Sequence, residues 1–199
     1  MSQRRRELRI VGAGGHALVA GDAWESAGGV VLSYHGGEGS VIDGAEPVEA
    51  ALAGTDPLHI AIGDNIARRR LADGVAEERF PVVSHAAATI SPSAALGVGS
   101  LVCAGVVLQP RCRVGRHSIV NSMALIEHEC VIGDFVHIAP GVRLAGNVEV
   151  GDGAFVGIGA VVIPGVRIGA GALVGAGAVV IRDVPAGARV AGNPARPLR

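Results

Sequence analysis

The sequence predicts a small parallel α/β domain followed by an all-β solenoid. Apolar strand-like and helical stretches alternate in the first part of the chain, and an aliphatic residue then recurs at every sixth position from Ile90 to Val180. A helix repeats near 3.6 residues and a strand at 2, so neither explains a period of six. A solenoid with one short strand and one turn per repeat does. The aliphatic anchors are Ile90, Leu96, Val102, Leu108, Val114, Val120, Ile126, Ile132, Ile138, Leu144, Val150, Val156, Val162, Ile168, Val174 and Val180.

The residue four places after most anchors is small or slender, as a tightly closing coil requires. Cys112 and Cys130 both occupy this position, three repeats apart. The chain has three cysteines, and Cys103 is the third. They lack the CxxC spacing of a metal site. We therefore predict buried thiols in a reducing compartment.

The first part of the chain alternates strand and helix, which is typical of a parallel α/β sheet. The predicted elements are a strand at 8–11, a helix around 17–27, a strand at 30–32, a helix at 47–53, a strand at 58–62, a helix from 64 to about 74 and a strand at 81–83. Asp64 can cap its helix through the side chain. We expect the strand at 81–83 to complete the small sheet.

These patterns predict three segments. Residues 1–84 form a Rossmann-like α/β domain, and residues 85–184 form the solenoid. Residues 185–199 are rich in Pro and Gly, which cannot extend a regular coil. We expect this last segment to leave the solenoid and cover its open end.

The composition excludes several function classes. The chain is 49% hydrophobic but only 3% aromatic, which suits stacked aliphatic coils. Its formal net charge of -1 argues against nucleic-acid binding by the chain as a whole. Gly, Pro or a charge interrupts every apolar stretch, so we expect no membrane span. With no secretory signal visible, we predict a cytoplasmic protein.

The turn from Gly12 to Gly15 follows a strand and opens a helix, which is the context in which backbone amides hold a phosphate. A nicotinamide dinucleotide is disfavoured. Ala17 replaces the third glycine of that fingerprint, and the second strand ends in Ser33-Tyr34-His35, without an acid for a ribose. A nucleotide-sugar diphosphate is favoured, and a purely structural tight turn is the alternative.

Histidines mark the solenoid stretch where chemistry is predicted. His128 and His137 are nine residues apart, about half a coil if three repeats make a turn. Both could then lie near one edge and face the same groove, with or without a neighbouring chain between them. Histidine is the natural general base near neutral pH, and Glu127 or Glu129 could orient it. The alternative is that these residues are ordinary surface residues at exposed corners.

A metal centre is the competing chemistry, because three histidines could supply three nitrogens to zinc. His117, His128 and His137 occupy different positions within their repeats, so stacking does not bring them together. We expect no metal.

Several motifs together resemble the bacterial sugar acyltransferases of the sialic acid O-acetyltransferase type, which include N-acetyltransferases of nucleotide-linked amino sugars. The resemblance covers nearly the whole chain. The motifs are Ile10-Val11-Gly12-Ala13-Gly14-Gly15-His16, Ala61-Ile62-Gly63-Asp64-Asn65, Ile126-Glu127-His128-Glu129-Cys130-Val131-Ile132-Gly133-Asp134, His137-Ile138-Ala139-Pro140-Gly141, Leu144-Ala145-Gly146-Asn147-Val148 and Ala191-Gly192-Asn193-Pro194-Ala195.

The resemblance implies a left-handed parallel β-helix with three hexapeptide repeats per turn. It also implies a homotrimer, with acetyl-CoA in the groove between neighbouring helices and active sites between subunits. His128 would be the catalytic general base, and Glu129 would tune it. For the cofactor, the implied contacts are His137 at the acetyl end and backbone near Gly146, Ile158 and Ala176. For the acceptor, the implied contacts are Gly12, Gly14, Gly15, His16, Asp64 and Asn65 on the nucleotide and Asn121 on the sugar.

The implied reaction moves an acetyl group from acetyl-CoA to the amino group of a nucleotide-linked amino sugar, such as a 4-amino-4,6-dideoxy sugar, for surface glycan biosynthesis. Alternatives are O-acetylation of sialic acid or another sugar hydroxyl, a non-catalytic trimeric sugar-nucleotide-binding scaffold, and a γ-type carbonic anhydrase on the same helix. One departure bears on the acceptor. Many members have acidic residues where this chain has Ser33-Tyr34-His35, so the nucleotide could differ.

Overall fold

The computed structural model describes residues 6–37 and 39–198. The N-terminal unit is a three-stranded parallel sheet in the order β2-β1-β3, with helices in the connections. Its elements are β1 Glu7–Val11, α1 Gly15–Ser26, β2 Val30–His35, α2 Val48–Ala53, β3 Leu58–Ile60, α3 Asn65–Ala72 and a 3₁₀ turn at Glu77–Arg79. The predicted alternation of strand and helix is present in this unit.

The remaining strands form a parallel β-solenoid of about six turns. They are β4 Val83–Ser84, β5 Thr89–Ile90, β6 Ala95–Leu96, β7 Leu101–Val102, β8 Val107–Leu108, β9 Arg113–Val114, β10 Ile119–Val120, β11 Leu125–Ile126, β12 Val131–Ile132, β13 His137–Ile138, β14 Arg143–Leu144, β15 Glu149–Val150, β16 Phe155–Val156, β17 Val161–Val162, β18 Arg167–Ile168, β19 Leu173–Val174, β20 Val179–Val180, β21 Arg189–Ala191 and β22 Arg196–Pro197. The solenoid predicted from the six-residue period is confirmed.

Three repeats make one coil, because each strand from β4 to β17 pairs with the strand 18 residues further on. The result is a triangular prism with three sheets, and their strands are parallel except for β22. Sheet I contains β4, β7, β10, β13, β16, β19, β21 and β22; sheet II contains β5, β8, β11, β14, β17 and β20; sheet III contains β6, β9, β12, β15 and β18.

The period builds this prism by burying one anchor per repeat from Val102 to Val180. Ile126, Ile132 and Ile138 are at most 2% exposed. The small position packs beside them inside the coil, where Cys130 and Ala160 are completely buried. The three cysteines are free and buried, as predicted.

The predicted strand at 81–83 is wrong in its placement. Val83 and Ser84 pair with Leu101 and Val102 in sheet I, and they do not join the N-terminal sheet. A short apolar run can form a strand in either sheet. Val83 and Ser84 join sheet I because the backbone 18 residues further along the chain, at Leu101 and Val102, lies beside them. The coil therefore begins at Val83.

The C-terminal segment follows the coil further than expected. β21 pairs parallel with β19, so the backbone stays in sheet I for one more strand. β22 then turns back and pairs antiparallel with β21. Within the described residues, no helix combines the length and the apolar character needed to cross a bilayer.

Arg68 joins the α/β unit to the solenoid. Its guanidinium is buried and donates from Nε to the carbonyl of His117 at 2.8 Å and from Nη2 to the carbonyl of Phe135 at 3.2 Å. It also donates from Nη1 to the carbonyl of Ile62 at 2.7 Å. Burial lowers the pKa of Arg68 to about 10, which leaves it charged at neutral pH. One cation thus links β3 and α3 to two successive corners of the coil.

Candidate active site

His128 and Glu129 form a polar pair at the corner between β11 and β12. The side chain of His128 is half exposed, and its Nδ1 lies 3.2 Å from Oε2 of Glu129. With the proton on Nδ1, the imidazole donates to this carboxylate and keeps the lone pair of Nε2 free. An imidazole held in this tautomer by a carboxylate can accept a proton at Nε2.

The backbone holds Glu129 in a left-handed conformation, with φ at 63°. A residue other than Gly is disfavoured there. The corners at 111, 117, 123, 129 and 135 all carry such residues, whereas most other corners carry Gly. Unfavourable backbone conformations concentrate at functional sites. This run of corners therefore marks the coils on either side of His128.

Gly146, which lies in the next coil, packs against the ring of His128. A methyl group on Gly146 would lie 2.6 Å from both Cε1 and Nε2 of His128. The neighbouring Asn147 donates its backbone N–H to the carbonyl of His128 at 3.0 Å. The position of the ring therefore depends on having no side chain at 146.

Arg111, which the sequence reasoning missed, completes the corner. Its Nη2 lies 2.9 Å from Oε1 of Glu129, so the two carboxylate oxygens are divided between a guanidinium and an imidazole. The pattern that could have revealed it is the 18-residue coil repeat, which places residue 111 directly one coil before residue 129.

A cavity of about 450 Å³ opens at the glycine turn of the N-terminal unit. Gly14 immediately precedes α1, and Gly12, at φ 130°, packs so tightly that a methyl group on it would lie 2.6 Å from the carbonyl oxygen of Ala61. The cavity is lined by backbone at the start of a helix, which is a favourable environment for a phosphate. Gly12, Gly14, Gly15 and His16 all line it.

His16 brings an unsatisfied polar atom to this cavity. Its Nε2 is buried and has no hydrogen-bond partner within the described part of the chain. Burial, together with the nearby His137 and Arg68, lowers the pKa of His16 to about 4, so the ring is neutral at physiological pH. A buried polar atom without a partner in a cavity wall is suited to meet a ligand.

His137 lies in β13, where it links the two units. Its Nδ1 donates to the carbonyl of Gly63 at 3.2 Å, and its Nε2 accepts from Nδ2 of Asn121 at 3.2 Å. Burial lowers its pKa, and the cation of Arg68 contributes in the same direction. The ring centroids of His137 and His16 are 6.0 Å apart. His137 is therefore a neutral residue whose two nitrogens are both engaged.

The two histidines lie on opposite sides of the prism. His137 lies in sheet I, whereas His128 lies at the corner that joins sheets II and III. The expectation that both approach one edge is wrong within a single chain, because nine residues carry the chain from that corner across sheet III into sheet I. The version with a neighbouring chain between them stays a prediction.

Comparison with known proteins places this geometry in a family. A family model described as bacterial transferase hexapeptide (six repeats) matches residues 147–182. No curated protein matches the chain. The chain is 34% identical to the acetyltransferase domain of PglB from Neisseria gonorrhoeae in complex with acetyl coenzyme A, with a TM-score of 0.88, covering 98% of this chain and 100% of that one.

Two further structures are similar over nearly the full length. PerB from Caulobacter crescentus, in complex with CoA and GDP-perosamine, is 37% identical with a TM-score of 0.89, covering 96% of this chain and 97% of that one. WeeI from Acinetobacter baumannii is 29% identical with a TM-score of 0.79, covering 96% and 99%. The chain belongs to the hexapeptide-repeat sugar N-acetyltransferases.

Two residues predicted to bind the acceptor make structural contacts within the chain. Oδ1 of Asp64 caps α3 by accepting from the N–H of Ala67 at 2.7 Å. Asn65 donates from Nδ2 to the carbonyls of Gly153 and Ala154 at 3.0 and 3.1 Å. Neither residue lines the cavity at the glycine turn. Their part in substrate binding stays a prediction without geometric support in one chain.

The residues expected to contact the cofactor are also spread over the prism. Gly146 lies at the corner between sheets II and III, and Ile158 and Ala176 lie at the corner between sheets I and II. The latter two stack on adjacent coils, since the N–H of Gly177 donates to the carbonyl of Ile158 at 2.8 Å. Ile158 is 57% exposed, so its side chain is available for contact.

The second strand ends in a closed hydrogen-bond chain. Ser33 Oγ lies 2.8 Å from Nε2 of His35, and Nδ1 of His35 donates to the carbonyl of Pro47 at 3.0 Å. The hydroxyl of Tyr34 packs against Gly21 in α1, where a Cβ atom would overlap with it. Ser33 and His35 thus satisfy each other at the end of β2.

The histidines considered for a metal are separated. His117 is buried between the rings of Phe80 and Phe135, with centroid distances of 4.5 and 5.0 Å. His128 and His137 lie on different sides of the prism, as described above. Within residues 6–37 and 39–198, no group of three or more His, Cys, Asp or Glu side chains is arranged to hold a metal ion.

Proposed function

We propose that this enzyme transfers the acetyl group of acetyl-CoA to the amino group of a nucleotide-linked amino sugar. The single observation that carries the proposal is the His128–Glu129 pair, which leaves Nε2 of His128 free as a base. The likeness to PerB, whose structure holds CoA and GDP-perosamine, supports the choice of substrates.

The chemistry follows from the geometry of this pair. The acceptor amine must be neutral to attack the thioester carbonyl, and Nε2 of His128 takes the proton that the nitrogen loses. A C–N bond forms, the C–S bond breaks, and the CoA thiolate leaves. Glu129 stabilises the imidazolium at Nδ1. A thiolate is a good leaving group, so no covalent enzyme intermediate is needed. The tetrahedral oxyanion requires a donor such as a backbone N–H of the coil.

The glycine turn is the proposed acceptor site. Backbone at the start of α1 would hold the diphosphate, and Nε2 of His16 would pair with a polar atom of the acceptor. The amide of Asn121, which already orients His137, lies where a sugar entering from this cavity would meet the coil.

The separation of cavity and base supports a homotrimer with sites between subunits. The cavity opens on the side of the prism that carries His137, and His128 lies on the opposite corner. An acceptor bound by one chain would therefore meet His128 of a neighbouring chain. Acetyl-CoA would lie in the groove between them, against Gly146 of one chain and Ile158 and Ala176 of the next.

Several finer features of the architecture belong to the same proposal. We infer that the prism is a left-handed β-helix and that the N-terminal unit is Rossmann-like, with a boundary near residue 84 and a cap from about residue 185. The reaction would take place in the cytoplasm, where acetyl-CoA and nucleotide sugars are made.

A thiol-release screen tests the proposed reaction. The purified enzyme is given acetyl-CoA with UDP-, GDP- and dTDP-linked 4-amino sugars, with the matching 4-hydroxy sugars and with free sialic acid. We expect thiol release with an amino sugar and none with the hydroxy compounds. Release with a hydroxyl acceptor alone would contradict N-acetylation, and acceptor binding without any release would indicate a scaffold.

Complementation tests the shared site. His128→Asn removes the proposed base. Gly15→Leu places a side chain in the acceptor cavity, which Gly15 lines and where a Cβ atom on Gly15 has no neighbour within 4 Å. Each variant alone should be inactive. Refolding the two together should restore part of the turnover, because some sites combine an intact cavity with an intact base. No recovery in mixed oligomers would contradict the shared site.

A further inference from the structure

Arg111 and Glu129 stack on consecutive coils at the same corner. Both residues have left-handed backbone, with φ at 64° and 63°. The N–H of Glu129 donates to the carbonyl of Pro110 at 3.1 Å, and the N–H of Arg111 is fixed in turn by Oγ of Ser93 at 3.1 Å. Each backbone is thus anchored one coil back, which sets the guanidinium beside the carboxylate.

The carboxylate of Glu129 is divided between two partners. Oε1 lies 2.9 Å from Nη2 of Arg111, and Oε2 lies 3.2 Å from Nδ1 of His128. A Glu side chain has several rotatable bonds, and 37% of this one is exposed. Without a second contact it could turn into solvent and leave the imidazole free to change tautomer.

We propose that Arg111 is a positioning residue that holds Glu129 in the rotamer that faces His128. The proposal rests on the proposed function, since it assigns a role in the same reaction. Arg111 touches neither reactant; it acts through the carboxylate. It fixes one oxygen so that the other points at Nδ1, and His128 then presents Nε2 to the acceptor amine.

The contacts around Glu129 favour this positioning role for Arg111. Within the described structure, the two ionic contacts of Glu129 are those with Arg111 and His128. Gly146 contributes no side chain on the other face of the ring. The competing role for Arg111 is contact with a phosphate of CoA, because 71% of its side chain is exposed. The two roles predict different kinetic changes.

A double-mutant cycle on the full-length enzyme separates these roles. Arg111→Ala, Glu129→Ala and the double variant are assayed for kcat and for the KM of acetyl-CoA with the acceptor found in the screen. Arg111→Lys is the rescue variant, because a single nitrogen makes the contact. Ala and Lys are preferred to Gly, which would relax the left-handed backbone and add a separate effect. Arg113→Ala, an exposed arginine in β9, is the matched control.

We expect Arg111→Ala to lower kcat about two- to fivefold, the range of a well-placed but exposed ion pair. The KM of acetyl-CoA should not change, and Lys should restore most of the rate. In the Glu129→Ala background, removing Arg111 should have almost no further effect. Arg113→Ala should behave as the unaltered enzyme.

Two outcomes would overturn the proposal. One is an equal loss of kcat with Glu129 present or absent, which would mean that Arg111 does not act through the carboxylate. The other is a rise in the KM of acetyl-CoA at constant kcat, which would make Arg111 a cofactor-binding residue. If the unaltered enzyme shows no thiol release with any acceptor, the proposed function itself has failed, and that result is distinct from both.

Discussion

The exposed corner at His128 and the buried contact between the α/β unit and the solenoid around Arg68, which we call the junction, contain the same kinds of side chain in opposite roles. At the corner, a half-exposed imidazole pairs with a carboxylate and keeps one nitrogen free. At the junction, His59 is 1% exposed and His117 is 2% exposed, and both lie near the cation of Arg68. Burial and partners, more than residue type, therefore distinguish an imidazole with a free nitrogen from a structural histidine.

The electrostatics of the junction keep its histidines neutral. Burial lowers the pKa of His59 to about 3, and nearby His16, His117 and Arg68 add to the effect. Burial likewise lowers the pKa of His117 to about 4, with Arg116 and Arg68 contributing. Both nitrogens of His59 lack a partner among the described residues. Buried neutral histidines of this kind lower the stability of the fold in acid, and they are poorly suited to take up a proton in catalysis.

The largest expected effect on the junction comes from Arg68→Met. The change leaves the carbonyls of His117 and Phe135 without their donor in a buried place. We expect a loss of about 3–5 kcal/mol of stability, and a fall in Tm of about 10 °C for a chain of this size. Thermal unfolding followed by circular dichroism measures it.

Arg70→Met is the matched control, because Arg70 is an exposed residue of the same helix. Its Tm should change by no more than a degree or two, since exposed substitutions cost within about 0.5 kcal/mol. Equal losses for the two variants would contradict the assignment of the junction to Arg68.

The next effect is acid sensitivity of the junction. The folded pKa values of His16, His59 and His117 lie below the unfolded value of 6.5. The unfolded chain therefore binds protons first as the pH falls from about 6.5 towards 4, and stability decreases over that window. Each neutral histidine contributes up to about 1.4 kcal/mol per pH unit.

Urea unfolding between pH 7 and pH 5 checks this slope, in a range where most carboxylates stay ionised. His117→Phe should flatten the dependence, because one of the three proton-binding differences disappears. A stability that is constant across the window would contradict the neutral cluster.

A smaller and more local effect is expected at the corner from Gly146→Ala. The added methyl group would overlap the ring of His128 at 2.6 Å, and the ring can move away because it is half exposed. We expect kcat to fall about 10- to 100-fold, as a misplaced catalytic group does, with Tm nearly unchanged. Steady-state kinetics together with thermal unfolding measure both quantities.

Gly54→Ala supplies the control, because a methyl group there makes only ordinary contacts of 3.5 Å or more and lies far from the corner. It should leave kcat as it is. If Gly146→Ala also keeps full activity, the ring of His128 does not depend on this support.

The sequence was sufficient to predict the solenoid and the corner pair. A period of six can be read without any partner information, and His128 and Glu129 are adjacent in the chain. What it could not supply were contacts set by the winding of the coil. Arg111 meets Glu129 only because 18 residues make one turn, and Asn65 meets Gly153 only because α3 docks on a corner.

The sequence also could not predict which sheet a short apolar segment joins. Val83 fits the α/β sheet and the first coil equally well as a strand residue, and the structure puts it in the coil. The prediction that His128 and His137 approach one edge is wrong within one chain for a similar reason. A spacing of nine residues corresponds to half a coil. Which of the three sheets or corners each histidine occupies depends on where the strands begin and end.

The central claim is that His128 at the exposed corner, and no buried histidine, is the base for acetyl transfer. The most direct measurement is the turnover of His128→Asn with acetyl-CoA and the acceptor identified by the screen, beside His85→Asn as a histidine control elsewhere in the chain. We predict that kcat falls about 10²–10⁴-fold for His128→Asn while its Tm is unchanged, and that turnover in the control is unchanged. Turnover of His128→Asn within threefold of the unaltered enzyme would contradict it.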